Sequence, residues 1–333
     1  MEIRENVILA PYTTFRIGGP ARYFIDVQNT SDLREVLIFS KEHRLRFFVL
    51  GGGSNILISD KGFDGLVIKM SIKGFDFKDE GDHVLLTANA GENWDNLVGE
   101  STERNLSGIE NLSLIPGTAG GAVCQNIGAY GVEIKDCVES VVVLDFVSGE
   151  IKTIENKDCG FDYRTSIFKN NKSLVVLNVD LKLFKNKEPD ISYPDLAKRF
   201  QNEKPSVADI RKAVIEIRRR KLPYPDEIGN VGSFFKNPKI TKEHFDNLVS
   251  ENGEVKGFLG TDGLVKLSSA QLIEMSGWKG KRMGNVGVSE KHSLVLVNYG
   301  HGSSREMLDL AENIKKDVRD KFGMDLEPEA ELV

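Results

Sequence analysis

The stretch RFFVLGGGSN, residues 46–55, begins as an apolar strand and stops on Gly51, Gly52 and Gly53. The continuous apolar run up to Leu50 predicts a buried strand. Consecutive glycines free the backbone from side-chain sterics, so successive N–H groups can turn into one concavity. Such a nest suits phosphate oxygens. Ser54 and Asn55 complete the loop. The alternative is a tight hairpin turn. The pattern is neither GxGxxG ahead of a helix nor a Walker loop, which would carry a lysine. Upstream, residues 29–44 predict a helix, with Thr30 and Ser31 as N-cap candidates and Leu33, Val36 and Leu37 at helical spacing. Downstream, 56–58 and 66–68 predict short strands. Together they make an α/β unit.

A second glycine-rich stretch follows: IPGTAGGA (115–122), then QNIGAYG (125–131). It lies within 22 uncharged residues, Asn111 to Val132, yet Pro116, Gln125, Asn126 and five glycines make it a polar loop and not a membrane helix. Uncharged loops of this length are uncommon in compact domains and are usually functional. The plain alternative is a long irregular connection. Two glycine-rich loops point to a large phosphate-bearing cofactor.

Between and beyond them, the middle of the chain is β-rich. Residues 84–88, 141–146 and 173–184 predict strands, and 93–104 a helix. Residues 206–221 predict a helix with a Ser206/Asp209 capping box and an apolar stripe of Val207, Ile210, Val214 and Ile217. The cluster PYPDEIGN (223–230) marks the preferred domain boundary. Helices are predicted near 241–251 and 268–275, a strand at 294–297, and a final helix at 303–322. That helix has a Ser303/Glu306 capping box and Gly323 as its stop. LEPEAELV, at the end, can only be a short extended tail.

Four further groups could carry chemistry. Arg164, in FDYRTSIF (161–168), is a fork for a carboxylate or phosphate, or else a surface arginine over an aromatic ring. RRRK (218–221) ends a helix, where cations are favoured anyway by the helix dipole. Ser233, in GNVGSFFKNP (229–238), could donate a proton from an apolar pocket, or be a turn serine. No GxSxG elbow supports a hydrolase. Glu329, in EPE (327–329), could stay protonated against apolar neighbours such as Leu332, or belong to a solvated acidic tail.

Composition narrows the classes. The 333 residues include 32 glycines but only 10 prolines, a surplus of glycine over the roughly 23 expected at average usage. The net charge of −6 argues against a nucleic-acid binder. The N-terminus lacks a signal-peptide pattern. Cys124, Cys137 and Cys159 fit neither a metal knuckle nor a CxxC pair, so no metal is expected, and their odd number suits a reducing cytosol.

In this order, GGGSN, IPGTAGGA…QNIGAYG, YR-x-SIFK, K-LP-P…G-x-GSFFKNP and the terminal EPE resemble the UDP-N-acetylenolpyruvoylglucosamine reductase family. The resemblance runs from Tyr12-Thr13-Thr14-Phe15 to Glu329. YPDL (193–196) is similar to the tyrosine loop of one class of that family, with Pro194 in place of a commoner glycine. The resemblance implies an α+β fold. It has a two-subdomain FAD-binding domain of the vanillyl-alcohol oxidase type (1–70 and 71–222), an α+β substrate domain (223–322) and a tail (323–333) returning to the active site. It implies FAD and NADPH as cofactors and reduction of UDP-N-acetylglucosamine enolpyruvate in peptidoglycan precursor synthesis.

Site roles follow from the same resemblance. Arg164 and Glu329 hold the substrate carboxylate and stabilise an enolate, and Ser233 protonates C2. FAD is held by Gly51, Gly52, Gly53, Ser54, Asn55, Pro116, Gly117, Gly120, Gly121, Asn126, Gly128, Ala129, Tyr130, Gly131 and Arg218. Tyr193, Lys221, Asn237 and His292 bind substrate. A bacterial, cytoplasmic monomer, with no nucleic-acid or membrane partner, is expected. The rivals are a flavin oxidase of the same fold and a nucleotide-sugar binding protein that has lost its cofactor.

Overall fold

The computed structural model describes residues 2–201, 203–260 and 262–333. It separates into two compact units, each assembled from separated segments. The first takes the chain up to Val7, Ala21–Gly52 and Asp64–Arg218; the second takes Ile8–Pro20, Gly53–Phe63 and Arg219–Val333. The segments around Phe15 and Leu57 pack into the core built by the C-terminal third.

The first unit contains two sheets. Arg4–Ile8, Pro20–Val27, Phe63–Met70 and Phe47–Leu50 lie in that spatial order, with Phe47–Leu50 parallel to Phe63–Met70. A parallel pair needs a long connection. It also sets the exit of Phe47–Leu50, and therefore the glycine loop, at the sheet's end. The helix Thr30–Glu42 precedes that strand, and its N-cap is Asn29, whose side chain accepts from Asp32 N at 2.9 Å. Thr30 and Ser31 are already helical, so the capping residue is one position earlier than expected. Asn serves as well here, since its short amide oxygen reaches the same orphan N–H.

The second sheet is antiparallel throughout: Ile151–Glu155, Val138–Asp145, Leu174–Phe184, His83–Asn89 and Phe75–Asp79. Val84, Leu86 and Ala88 alternate into a core with Val179, Leu181 and Leu183. The edge strands Phe75–Asp79 and Ile151–Glu155, and the opening strands Arg4–Ile8 and Pro20–Val27, were not legible in the sequence. The edges are largely exposed and carry no strong apolar alternation. Behind Tyr130 and Ile191, Leu196, Phe200, Ile210, Val214 and Ile217 form a smaller core. It is built by the helix Val207–Lys221, whose Ser206/Asp209 capping box is present in both directions.

The second unit holds two three-stranded sheets and the long helix Ser304–Phe322. That helix has the expected Ser303/Glu306 box and a left-handed Gly323 at its end. Met307, Leu310, Ile314 and Val318 are fully buried against Phe234, Val286 and Leu296. The C-terminal tail is more than extended: Glu331–Leu332 pairs in parallel with Ile56–Leu57. Among the described residues, no helix is long and apolar enough to cross a membrane.

Candidate active site

In the first unit the two glycine-rich stretches meet. A Cβ on Gly52 would lie 2.7 Å from Gly117 Cα, closer than real side chains approach. Only glycine permits this contact, which joins residues 65 positions apart. Thr118 adds its hydroxyl near Gly51, where a Cβ would come within 2.9 Å. Lys69, from the neighbouring strand, donates from Nζ to the Gly51 carbonyl at 2.6 Å.

The stretch 115–131 is not an irregular loop. Ala119–Cys124 is a short helix with Thr118 as N-cap, so Gly120 and Gly121 form its first turn, while Pro116 and Gly117 lead into it. Gly128–Ala129 then pairs with Val132–Glu133 as a hairpin. Tyr130 and Gly131 occupy its two-residue turn with φ of 49° and 90°. Positive φ at both central positions is the type I′ geometry that matches the twist of paired strands. Asn-Gly or Asp-Gly would have signalled it; Tyr-Gly did not. Asn126, also left-handed at φ 41°, spends its side chain on structure. Its amide donates to Glu133 Oε2 and Asp162 O and accepts from Lys135 N.

Tyr130 is clasped from several sides within this unit. Its ring meets Tyr193 edge-on at 5.1 Å. Burial drives its hydroxyl pKa up to about 12, against the hydrogen bond and charge of Arg218. Its carbonyl accepts from Asn111 Nδ2 at 2.8 Å, and the same nitrogen donates to Asp190 O at 2.9 Å. Asn111 is fully buried. It ties the hairpin to the segment ahead of Tyr193, and sequence reasoning passed over it, because a single asparagine among leucines carries no pattern. Tyr193 itself stays exposed. Pro194, after it, starts the helix Pro194–Arg199 at a position that proline favours.

Arg164 is also left-handed, at φ 56°, a conformation uncommon for a non-glycine residue. Its Nη2 donates to Gly128 O at 2.6 Å, and Lys169 Nζ holds its carbonyl at 3.1 Å. The rest of its motif is explained locally. Ser166 caps the helix Ile167–Asn170 and donates to Cys124 O at 2.9 Å, tying the motif to the glycine-rich helix.

The second unit gathers Asn55, Ser233 and Glu329. Gly53 holds Thr14 N at 3.0 Å, and Ser54 follows half-buried. Ser233 lies in an extended segment bridged to Val295. Glu329 N donates to Phe234 O at 2.8 Å, and Phe235 is bridged to Pro328. The EPE segment is therefore laid directly along the serine segment. Asn55 Nδ2 donates to the Glu329 carbonyl at 3.2 Å, and Asn55 O accepts from Glu331 N at 3.0 Å. Glu327 is exposed and pairs with Lys236, and Glu329 is half-buried.

The remaining substrate candidates of this unit divide. His292 accepts from Leu294 N on Nδ1 at 3.3 Å, which leaves its proton on Nε2. Burial lowers its pKa, and the charges of Lys221 and Lys279 lower it further, against Glu274. Lys221 is therefore an electrostatic neighbour of His292. Asn237 has a structural duty, since its Oδ1 accepts from Ser269 N at 3.0 Å at the start of a helix.

Known proteins resemble this chain in sequence and in fold. An FAD binding domain model matches residues 21–155. That defines the class: an FAD-binding domain followed by a second α+β domain. A model for the UDP-N-acetylenolpyruvoylglucosamine reductase C-terminal domain matches 223–333. A UDP-N-acetylenolpyruvoylglucosamine reductase of Pseudomonas syringae pv. tomato is 41% identical over 337 residues, covering 100% of this chain and 99% of that protein. One from Flavobacterium johnsoniae is 41% identical over 340 residues, covering 100% of both. The crystal structure of the Thermus caldophilus reductase matches with a TM-score of 0.71 at 27% identity, over 99% of each chain. The chain belongs to the UDP-N-acetylenolpyruvoylglucosamine reductase family.

The residues fit the cofactor that this class requires. At Gly52 a side chain has no room beside Gly117, so the two glycine-rich stretches meet backbone to backbone. Arg218 and Lys69 bring positive charge to the same unit.

Proposed function

We infer that this chain reduces the enolpyruvyl ether of UDP-N-acetylglucosamine to UDP-N-acetylmuramate, with NADPH as reductant. FAD, when bound, would supply the two-electron redox chemistry between NADPH and C3 of the enolpyruvyl group. Every other task falls to the protein's own groups.

Hydride arrival at C3 leaves negative charge at C2, delocalised as an enolate into the carboxylate. The Arg164 guanidinium offers a bidentate donor face to that carboxylate. Glu329 helps to hold that carboxylate and to stabilise the enolate. Donors already aimed at developing charge lower its cost without reorganisation. Ser233 Oγ then gives its proton to C2. Serine is a weak acid, but an enolate carbon is a strong enough base to take that proton. The observation that carries this assignment is the Glu329 N to Phe234 O bond, which fixes the acid-bearing segment beside the serine.

Gly51, Gly52, Gly53, Ser54 and Asn55, with Pro116, Gly117, Gly120 and Gly121, hold the cofactor's pyrophosphate. Gly128, Ala129, Tyr130, Gly131 and Arg218 face its ring, with Asn126 fixing their backbone. Tyr193, Lys221 and Asn237 bind the UDP diphosphate, and His292 lies near the substrate. The functional division is FAD-binding for 1–70 and 71–222, substrate binding for 223–322, and an active-site tail for 323–333.

The protein works as a monomer in the bacterial cytoplasm. The odd, low count of cysteines, Cys124, Cys137 and Cys159, suits a reducing compartment.

The test is anaerobic. The purified protein should be yellow, NADPH should bleach it, and UDP-N-acetylglucosamine enolpyruvate should restore the colour with one reduced sugar formed per NADPH. Reoxidation by oxygen alone, with no response to the sugar, would replace this reading by the oxidase. A colourless protein that binds the sugar would replace it by the binding protein.

A further inference from the structure

Lys69 stands under the first glycine loop. It lies on Phe63–Met70, directly opposite Leu50 in the parallel register, and Leu50 is the residue that enters Gly51. The strand around it is apolar: Leu66, Val67, Ile68 and Met70 are all buried. A half-buried lysine in such a strand is costly to charge, and burial lowers its pKa, with Asp26 opposing. Its ammonium is directed to one place, the Gly51 carbonyl, at 2.6 Å.

That bond fixes more than one atom. A trans peptide is planar, so the C=O of residue 51 and the N–H of residue 52 point in opposite directions. Among the described residues no peptide is cis. Anchoring the Gly51 carbonyl on Lys69 therefore turns the Gly52 N–H away from the lysine. Gly51 and Gly52 have no side chains to steer this peptide, and glycine samples many backbone states at little cost. Something outside the loop must choose one.

We propose that Lys69 is a positioning residue for FAD: it holds the 51–52 peptide so that the Gly52 N–H donates to a phosphate oxygen of the cofactor, and it adds positive potential beneath that phosphate. This deepens the reading given above and rests on it.

The experiment titrates the stripped protein with FAD and, separately, with riboflavin, which has the same ring but no pyrophosphate. Flavin fluorescence reports both. Lys69→Met should weaken FAD by about ten- to a hundredfold, the range that one charge-assisted hydrogen bond converts to. Riboflavin affinity should not change, and Lys69→Arg should restore most of the FAD affinity. If Lys69→Met gives no folded protein, Lys69→Gln carries the same comparison. Wild-type FAD affinity in the neutral variant overturns the proposal, and so does an equal loss of FAD and riboflavin, which would mark a purely structural role. A wild-type protein that binds no FAD defeats the functional reading itself, an outcome separate from the other two.

Discussion

Tyr130 and Ser233 are both displayed beside short β-type pairings, but by different physics. Tyr130 sits on a two-residue turn of left-handed backbone, and two other site candidates near it, Asn126 and Arg164, are left-handed as well. Ser233 sits on an extended segment, placed by its bridge to Val295 and by the neighbouring Phe234–Glu329 hydrogen bond. In the first region the backbone itself is the device, so a change in permitted φ or in Cβ volume does the damage. In the second, the pairing of distant segments delivers side chains, so the functional atom is what matters. Local strain of this kind persists only where the surroundings over-determine it. Asn111, Arg218 and Tyr193 supply that over-determination around Tyr130.

Ser233→Ala should have the largest effect. It removes the proposed proton donor and leaves the pairing intact, so turnover of the enolpyruvyl sugar should fall by about 10²- to 10⁴-fold. Bleaching of the flavin by NADPH should proceed as in wild type. Normal turnover would take Ser233 out of the proton-donating role and weaken the contrast between the regions.

Gly52→Ala probes the other side. The added Cβ meets backbone, Gly117 Cα at 2.7 Å, which cannot swing aside. Overpacking of this kind costs about 1–3 kcal/mol. A lower melting temperature and loss of bound FAD are expected together. If calorimetry and flavin content both match wild type, the loops have more room than their geometry indicates.

The smallest effect is expected at His292, as a pH dependence. Its folded-state pKa lies below the ordinary value of 6.5. The unfolded chain therefore binds a proton here more readily, and stability declines as pH falls through that value. His292→Gln should flatten this part of the melting-temperature profile. An unchanged slope would assign the pH dependence to other groups.

Much of the site was legible in the sequence because its constraints are local in chemistry. Gly51–Gly53 advertise themselves, since only glycine tolerates such an approach. The Ser303/Glu306 and Ser206/Asp209 boxes are contained within four residues. Asn111 and Lys69 were not legible. Their partners, Tyr130, Asp190 and Gly51, lie 19, 79 and 18 residues away, and neither residue type is unusual for its surroundings. The Tyr130-Gly131 turn was missed for a related reason: tyrosine carries no left-handed preference, so the tertiary clasp imposes what the sequence does not announce.

By itself, the sequence determined that the chain needs unusual backbone at two glycine loops, which elements flank them, and the ordered motifs that match a reductase family. These are properties of residue type and spacing. Only the tertiary structure decided that Gly52 meets Gly117, that Asn111 ties the hairpin to the tyrosine segment, and that the EPE tail lies along Ser233. It also decided that residues 8–20 and 53–63 join the C-terminal unit. Each of these is a pairing between distant segments. Such pairings are selected by burial of Phe15, Leu57, Phe234 and their neighbours in one core, and no local pattern encodes which distant partner a segment will find.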